Sequence, residues 1–337
     1  MNKYISYDDK IFVAGAHGMA GSAICRSLLK AGYGKKGKGS ILLRPNRKEL
    51  NLLCGKSVNF WFRENKPSVV IIAAAKVGGI LSNSSFPTDF LIKNIKIQTN
   101  IFESCLETKV KRILFLGSSC IYPRNAAQPI IEEYLLSGPL EKTNEHYAIA
   151  KIAGIKLCEA LCKQHNIDAI SLMPTNLYGP GDNYHEKNSH VMPALIKKIH
   201  DSKKFNIPKV KFWGTGNPRR EFLHVDDLAD AAIFVLKNIS SDNKLLEDKN
   251  SKYQGILNIG TGEDISIKQL AEKICEEQKY NGEITWDKNK PDGTPRKLLD
   301  VSKIKKLGWK AKISLSKGIK NTIKSFLEES KNQSIRL

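Results

Sequence analysis

The sequence predicts an α/β protein: a twisted, doubly wound parallel sheet flanked by helices, with a smaller C-terminal α/β lobe over the carboxyl ends of the strands. Three observations carry that expectation. Ile11-Phe-Val-Ala14 runs into Gly15-Ala-His-Gly18-Met-Ala-Gly21 and then into an amphipathic stretch from Ser22 to Lys30. Strand, glycine turn and helix together make a phosphate site, because glycines let the backbone approach an anion and the helix start presents free N–H groups. Val69-Val-Ile-Ile-Ala-Ala-Ala75 is a continuous apolar run, as a parallel strand covered on both faces requires, and Arg112-Ile-Leu-Phe-Leu116 reads as the next strand. Such runs alternate with helical stretches through the rest of the chain.

The 337 residues are enough for a large core and roughly two domains. Hydrophobic content of 41% and charged content of 26% are ordinary for a soluble globular protein. No apolar run reaches the roughly 18 residues of a membrane helix, and Met1–Lys10 lacks the apolar centre of a signal peptide, so a cytoplasmic location is expected. The seven cysteines form no C-x-x-C pair, which fits reduced thiols and no metal site. Net charge is +20, but the lysines are scattered. Only Lys35-Lys36-Gly37-Lys38 is dense, and no aromatics interleave with it. A lysine-rich surface that attracts anionic ligands is the expectation, with neither nucleic acid nor membrane as partner.

In order, the strand Ile41-Leu-Leu43 ends at Arg44, with Arg47 and Lys48 behind it. A basic residue at this point suits a 2′-phosphate, hence NADP rather than NAD, although an exposed basic turn reads the same way. Lys76-Val-Gly78-Gly79 follows the next strand, and Asn94–Thr108 reads as a helix. The strand ending at Leu116 carries Gly117-Ser118-Ser119-Cys120-Ile-Tyr122-Pro123, a concentration of reactive side chains at a strand end. Thr143-Asn-Glu-His-Tyr147 starts a helix, with Thr143 as the expected cap. Tyr147 and Lys151 share a face of it, and a neighbouring ammonium lowers a phenol's pKa. Taken alone, the pair also suits a partly buried tyrosine beside a solvated lysine. Ala169–Met173 leads into Pro174-Thr-Asn176-Leu-Tyr178-Gly-Pro180, where the domain change is expected. His190-Val-Met-Pro193 opens the helix Ala194–His200, Lys209–Trp213 is a strand, and Arg219–Asp227 leads into the helix from Leu228. Strand Leu257–Ile259, helix Ile267–Glu277, loop Pro291–Lys297 and helix Leu315–Glu328 complete the chain.

A glycine turn near the N-terminus, a serine at a strand end and Tyr-x-x-x-Lys occur here in the order carried by extended short-chain dehydrogenase/reductases, and the chain resembles that family. Within it, the chain looks like the branch that epimerises and then reduces GDP-4-keto-6-deoxy-D-mannose. The matching segments are Ala73–Ile80, Leu116–Pro123, Tyr147–Leu157, Met173–Pro180, Asn188–His190, Arg220–Asp227 and Lys290–Lys297. A relative acting on another GDP-4-keto sugar, such as a 6-deoxyheptose, is the alternative.

The resemblance implies a Rossmann-type cofactor domain over 1–178, re-entered at about 224–240 and 255–262. Residues 179–223 and 263–337 would bind the GDP-sugar, and the protein would be a homodimer. Gly15, Ala16, His17, Gly18, Met19, Ala20 and Gly21 would hold NADP(H), with Arg44 at the 2′-phosphate. Leu116, Gly117, Ser118, Ser119, Lys151, Pro174, Thr175, Asn176, Leu177 and His190 would complete the cofactor site. Ser118, Tyr147 and Lys151 would form the reductase triad, and Cys120 and His190 the epimerisation base and acid. Asn176, Lys198, Trp213, Arg220, Asp292 and Lys297 would line the substrate site. Relatives often carry Arg where this chain has His17 and Lys198, and the 33–39 loop lengthens the route to Arg44. Cys120 as an inert thiol, and His190 as a mere helix cap, remain open on the residues alone.

Overall fold

The computed structural model describes residues 4–34, 41–186, 188–248, 250–290 and 292–336. The basic cluster at 35–38 and most of the 33–39 loop therefore lie outside the described residues, as does Pro291.

Six strands form the main sheet: β1 (Lys10–Ala14), β2 (Ile41–Leu43), β3 (Val69–Ile72), β4 (Arg112–Leu116), β5 (Asp168–Pro174) and β9 (Ile256–Ile259). Their order is β2-β1-β3-β4-β5-β9, and every pairing is parallel. The apolar runs are the reason: all four residues of β3 and all five of β4 are buried. Each such valine or isoleucine contributes on the order of 2 kcal/mol through burial. Helices α1 (Met19–Lys30), α2 (Gly55–Asn65), α3 (Ile80–Ser85), α4 (Pro87–Glu107), α5 (Glu145–His165) and α7 (Val225–Asn238) accompany this sheet. The chain leaves β1 toward β2, then crosses back to β3, so the crevice between the carboxyl ends of β1 and β3 is the switch point where ligands bind in such sheets.

A second hydrophobic core joins Met192, Ile196 and Ile199 of α6 (Val191–Lys204), Leu270 and Ile274 of α8 (Ile267–Gln278), and Ile319 and Ile323 of α10 (Leu315–Lys331). It sits beside β7 (Lys209–Trp213), which pairs with β11 (Glu283–Asp287), and beside β8 (Arg219–His224). β8 is flanked by β10 (Asp264–Ser266) and β12 (Arg296–Lys297), and its last residues pair with β6 (Asn176–Tyr178). Leu299, Val301, Ile304 and Trp309, around the short α9 (Ser302–Lys306), pack into the first core.

Arg219–Asp227 leads into a helix as expected, α7 starting at Val225 rather than Leu228, but its first part, Arg219–His224, is a strand that the mixed sequence hides until β10, β12 and β6 supply partners. Thr143 is not the cap of α5. Asn144 occupies that position without a side-chain cap, and the Thr143 hydroxyl donates to Glu141 instead. Gly154 explains how α5 lies so close to the sheet, since a Cβ there would collide with the Phe115 ring and the Gln98 carboxamide.

Candidate active site

The glycine turn is built by backbone contacts that side chains would destroy. Gly15 has φ +82°, and a Cβ there would come within 2.8 Å of the Ala74 backbone just after β3. A Cβ on Gly21 would overlap the Gly15 carbonyl oxygen. Gly18 N-caps α1 with no side-chain cap, and the first turn holds no acidic residue. The positive end of α1 therefore faces the β1/β3 crevice with its N–H groups uncommitted to side chains, which is what a pyrophosphate needs. His17 Nε2 lies 3.2 Å from the Arg44 carbonyl oxygen, in position to donate, so it ties the exposed Arg44 turn to the glycine turn. The residues present fit a dinucleotide with a 2′-phosphate.

At the end of β4 the chain turns through Gly117, where a Cβ would strike the Met173 thioether. Ser118 caps a single 3-10 turn, Ser119–Ile121, its hydroxyl accepting from the Cys120 N–H at 3.2 Å. α5 brings Tyr147 to this turn, beside Ser118 and Cys120. The Tyr147 ring meets Phe90 of α4 edge-on, with centroids 6.3 Å apart. Burial raises the Tyr147 pKa, the nearby Cys120 raises it further, and the Ser118 side chain offsets part of this. This reverses the expected lowering. The Lys151 ammonium donates to the Leu116 carbonyl at 2.7 Å and stands 6.0 Å from the Tyr147 ring centre. Burial also brings the Lys151 pKa down to about 8. Desolvation is the largest cause for both groups.

His190 N-caps α6 in extended conformation and offers no side-chain cap of its own. The residue is exposed, yet the protein around it desolvates the imidazole enough to lower its pKa. The loop before it is fixed against the loop after β3, since the Gly79 N–H donates to the Asn188 carbonyl.

The other expected site residues separate into two groups. Arg220, Lys297 and Asn176 belong to the β8 sheet. The Lys297 ammonium lies 3.7 Å from the Cys120 sulfur, and the Asn176 amide donates to the Glu221 carbonyl. Lys198 and Trp213 lie apart from this cluster. Lys198 donates to the Lys211 carbonyl at 2.6 Å, and Trp213 is exposed beneath the Lys290 ammonium. Asp292 joins the two groups, accepting from the Thr215 N–H and hydroxyl and so pinning the loop before β12 to the turn after β7.

Sequence reasoning missed Glu141 and Asp264. Glu141 is buried beside Cys120, where it accepts from Thr143 and Thr294 and pairs with Arg124. Asp264 clamps Arg219 and Arg296 together. A lone carboxylate in a loop or short strand carries no sequence signal of such a role.

A strand-end serine facing a helical Tyr-x-x-x-Lys, beside a glycine-lined crevice at the switch point of a parallel sheet, defines a nucleotide-dependent oxidoreductase or epimerase. The chain belongs to the NAD dependent epimerase/dehydratase family, which it matches over residues 11–260. It is 51% identical over 320 residues to probable GDP-L-fucose synthase 1 of Oryza sativa subsp. japonica, covering 95% of this chain and 92% of that protein. It is 48% identical to GDP-L-fucose synthase of Escherichia coli (strain K12), covering 95% and 97%. Among solved structures it is similar to the GDP-mannoheptose C4 reductase of Campylobacter jejuni with NADP bound, at 37% identity and a TM-score of 0.83, covering 96% and 99%.

Proposed function

We propose that this chain converts GDP-4-keto-6-deoxy-D-mannose to GDP-L-fucose by 3,5-epimerisation followed by NADPH-dependent reduction at C4. The observation that carries the reading is the meeting of Ser118 and Cys120, at the end of β4, with Tyr147 of α5, in a chain about half identical to GDP-L-fucose synthases.

The Gly15–Gly21 turn, Arg44 and the ends of β4 and β5 would hold NADP(H), which supplies the hydride when bound. Ser118 and Tyr147 hydrogen-bond the C4 oxygen and stabilise the charge that develops there when a C3 or C5 proton leaves. Cys120, as thiolate, takes that proton from one face. His190 delivers a proton on the other. Burial lowers the His190 pKa, which favours release of that proton from its imidazole. In the reduction, Tyr147 is held as the neutral phenol and gives its proton to the C4 oxygen. Lys151 compensates the charge this leaves.

Arg220, Lys198, Trp213, Asn176, Asp292 and Lys297 would surround the GDP-sugar, and the two cores support a cofactor lobe and a substrate lobe. Ile92 of α4 and Ile149 of α5 are exposed on neighbouring helices, which supports a homodimer through that face. All seven cysteines are free, as a cytoplasmic enzyme requires. Among the described residues no helix is long and apolar enough to cross a membrane.

Cys120→Ser tests the base assignment. In D2O the variant should lose deuterium incorporation at C3 and C5, and retained incorporation would remove Cys120 from that role. A second reading, a GDP-heptose as substrate, draws on the likeness to the Campylobacter jejuni reductase; turnover of a GDP-4-keto-heptose in preference to the hexose would favour it.

A further inference from the structure

Two short parallel strands set four cations in register. Arg296 pairs with Arg219, and Lys297 pairs with Arg220. Side chains alternate along a strand, so Arg219 and Arg296 share one face and Arg220 and Lys297 the other. The outer pair shares one carboxylate: Arg219 and Arg296 both bind Asp264, at 2.7 and 2.5 Å. The inner pair has none. Among the described residues, no carboxylate lies within ion-pairing distance of Lys297 or Arg220, and the one hydrogen-bond partner of the Lys297 ammonium is the Cys120 sulfur, 3.7 Å away. The Arg220 guanidinium feels Cys120, Asp292 and Glu141 at longer range, and one of its nitrogens is turned back to the Arg219 carbonyl.

We infer that Lys297 is the charge partner of Cys120 and holds its sulfur as the thiolate, a positioning role that rests on the reading of Cys120 as the epimerisation base. The groups that feel the sulfur are Lys297 of β12, Arg220 of β8 and Tyr147 of α5. Arg124 and Glu141 line the same recess. Of these, Lys297 alone puts a full positive charge within hydrogen-bonding reach of the sulfur. Forming the pair breaks the S–H bond with both electrons left on sulfur. The proton goes to solvent, and the ammonium is unchanged. In the next step the sulfur takes the C3 or C5 proton, and the C–H electron pair moves onto the C4 carbonyl oxygen. Asp264 serves this arrangement indirectly, since it draws off the two arginines on the far face.

Alkylation of the full-length, substrate-free protein tests the pairing directly. Iodoacetamide is uncharged, so its approach is not steered by lysine. The rate at Cys120 is read by mass spectrometry at neutral pH, with the partly exposed Cys54 as internal reference. An opposite charge this close shifts a thiol's ionisation by about one unit or more, so Lys297→Met should slow Cys120 roughly tenfold and leave Cys54 unchanged. Lys297→Arg should recover most of the rate, as loss of shape alone would not allow. Unchanged alkylation in Lys297→Met, or no recovery in Lys297→Arg, overturns the pairing. The base reading fails separately: slowed alkylation in Lys297→Met with deuterium exchange intact in Cys120→Ser keeps the pair and removes the base.

Discussion

Lys151 spends its ammonium on the Leu116 carbonyl, 2.7 Å away and 35 residues earlier in the chain, rather than on Tyr147. The bond anchors the tyrosine helix to the end of β4, where Ser118 and Cys120 begin. It also leaves a cation buried without a carboxylate, which is why its pKa falls to about 8. Reduction at saturating NADPH should therefore decline as pH rises through about 8, while the charge is lost. A profile flat across that range contradicts this role for Lys151.

Tyr147→Phe removes the proton donor and leaves the Phe90 contact in place. Losing a positioned general acid costs roughly 10²–10⁴-fold. NADPH oxidation should fall by that order, with solvent deuterium entering C3 and C5 more slowly but still measurably, because Ser118 keeps its hydrogen bond to the C4 oxygen. Complete loss of deuterium entry would show that Ser118 cannot hold the enolate without Tyr147.

Gly154→Ala places a methyl against the Phe115 ring and the Gln98 carboxamide, and both are held in the core. Overpacking of this kind costs about 1–3 kcal/mol. Urea unfolding should report a loss in that range, and an unchanged midpoint would mean that α5 can move off the sheet.

Glu132 is buried, with Oε1 accepting from the Asn258 N–H at 2.9 Å. Burial pushes its pKa up to about 7, although the Asn258 bond and Lys303 oppose this. The folded value lies above the unfolded one, so the group's contribution to stability is full below the unfolded pKa and is lost as pH rises through the folded pKa. Glutamine keeps the acceptor and cannot ionise. Relative to wild type, Glu132→Gln should gain about 3 kcal/mol between about pH 5 and about pH 8. Equal differences at the two pH values would contradict the buried-acid reading.

The main sheet was legible because its strands are mostly apolar, and β2 and β4 fall where the sequence places them, as does β7 outside that sheet. The Tyr147–Lys151 spacing and the glycine turn were legible for the same local reason. The second sheet was not. β8 reads Arg-Arg-Glu-Phe-Leu-His, and its half-charged pattern becomes a strand only through partners distant in sequence. The partners of single charges were equally hidden. Lys297 reaches Cys120 across 177 residues, and a lysine spaced for a tyrosine turned out to bind a carbonyl. Spacing along a helix tells which side chains share a face, but desolvation and remote acceptors decide what they bond.

The most direct test is NADPH oxidation, followed by absorbance, with GDP-4-keto-6-deoxy-D-mannose as substrate and product stereochemistry read by NMR. The account predicts oxidation with GDP-L-fucose as product, inverted at C3 and C5 and reduced at C4. A reduced product unchanged at C3 and C5 would contradict the roles of Cys120 and His190, and absence of oxidation would contradict the substrate itself.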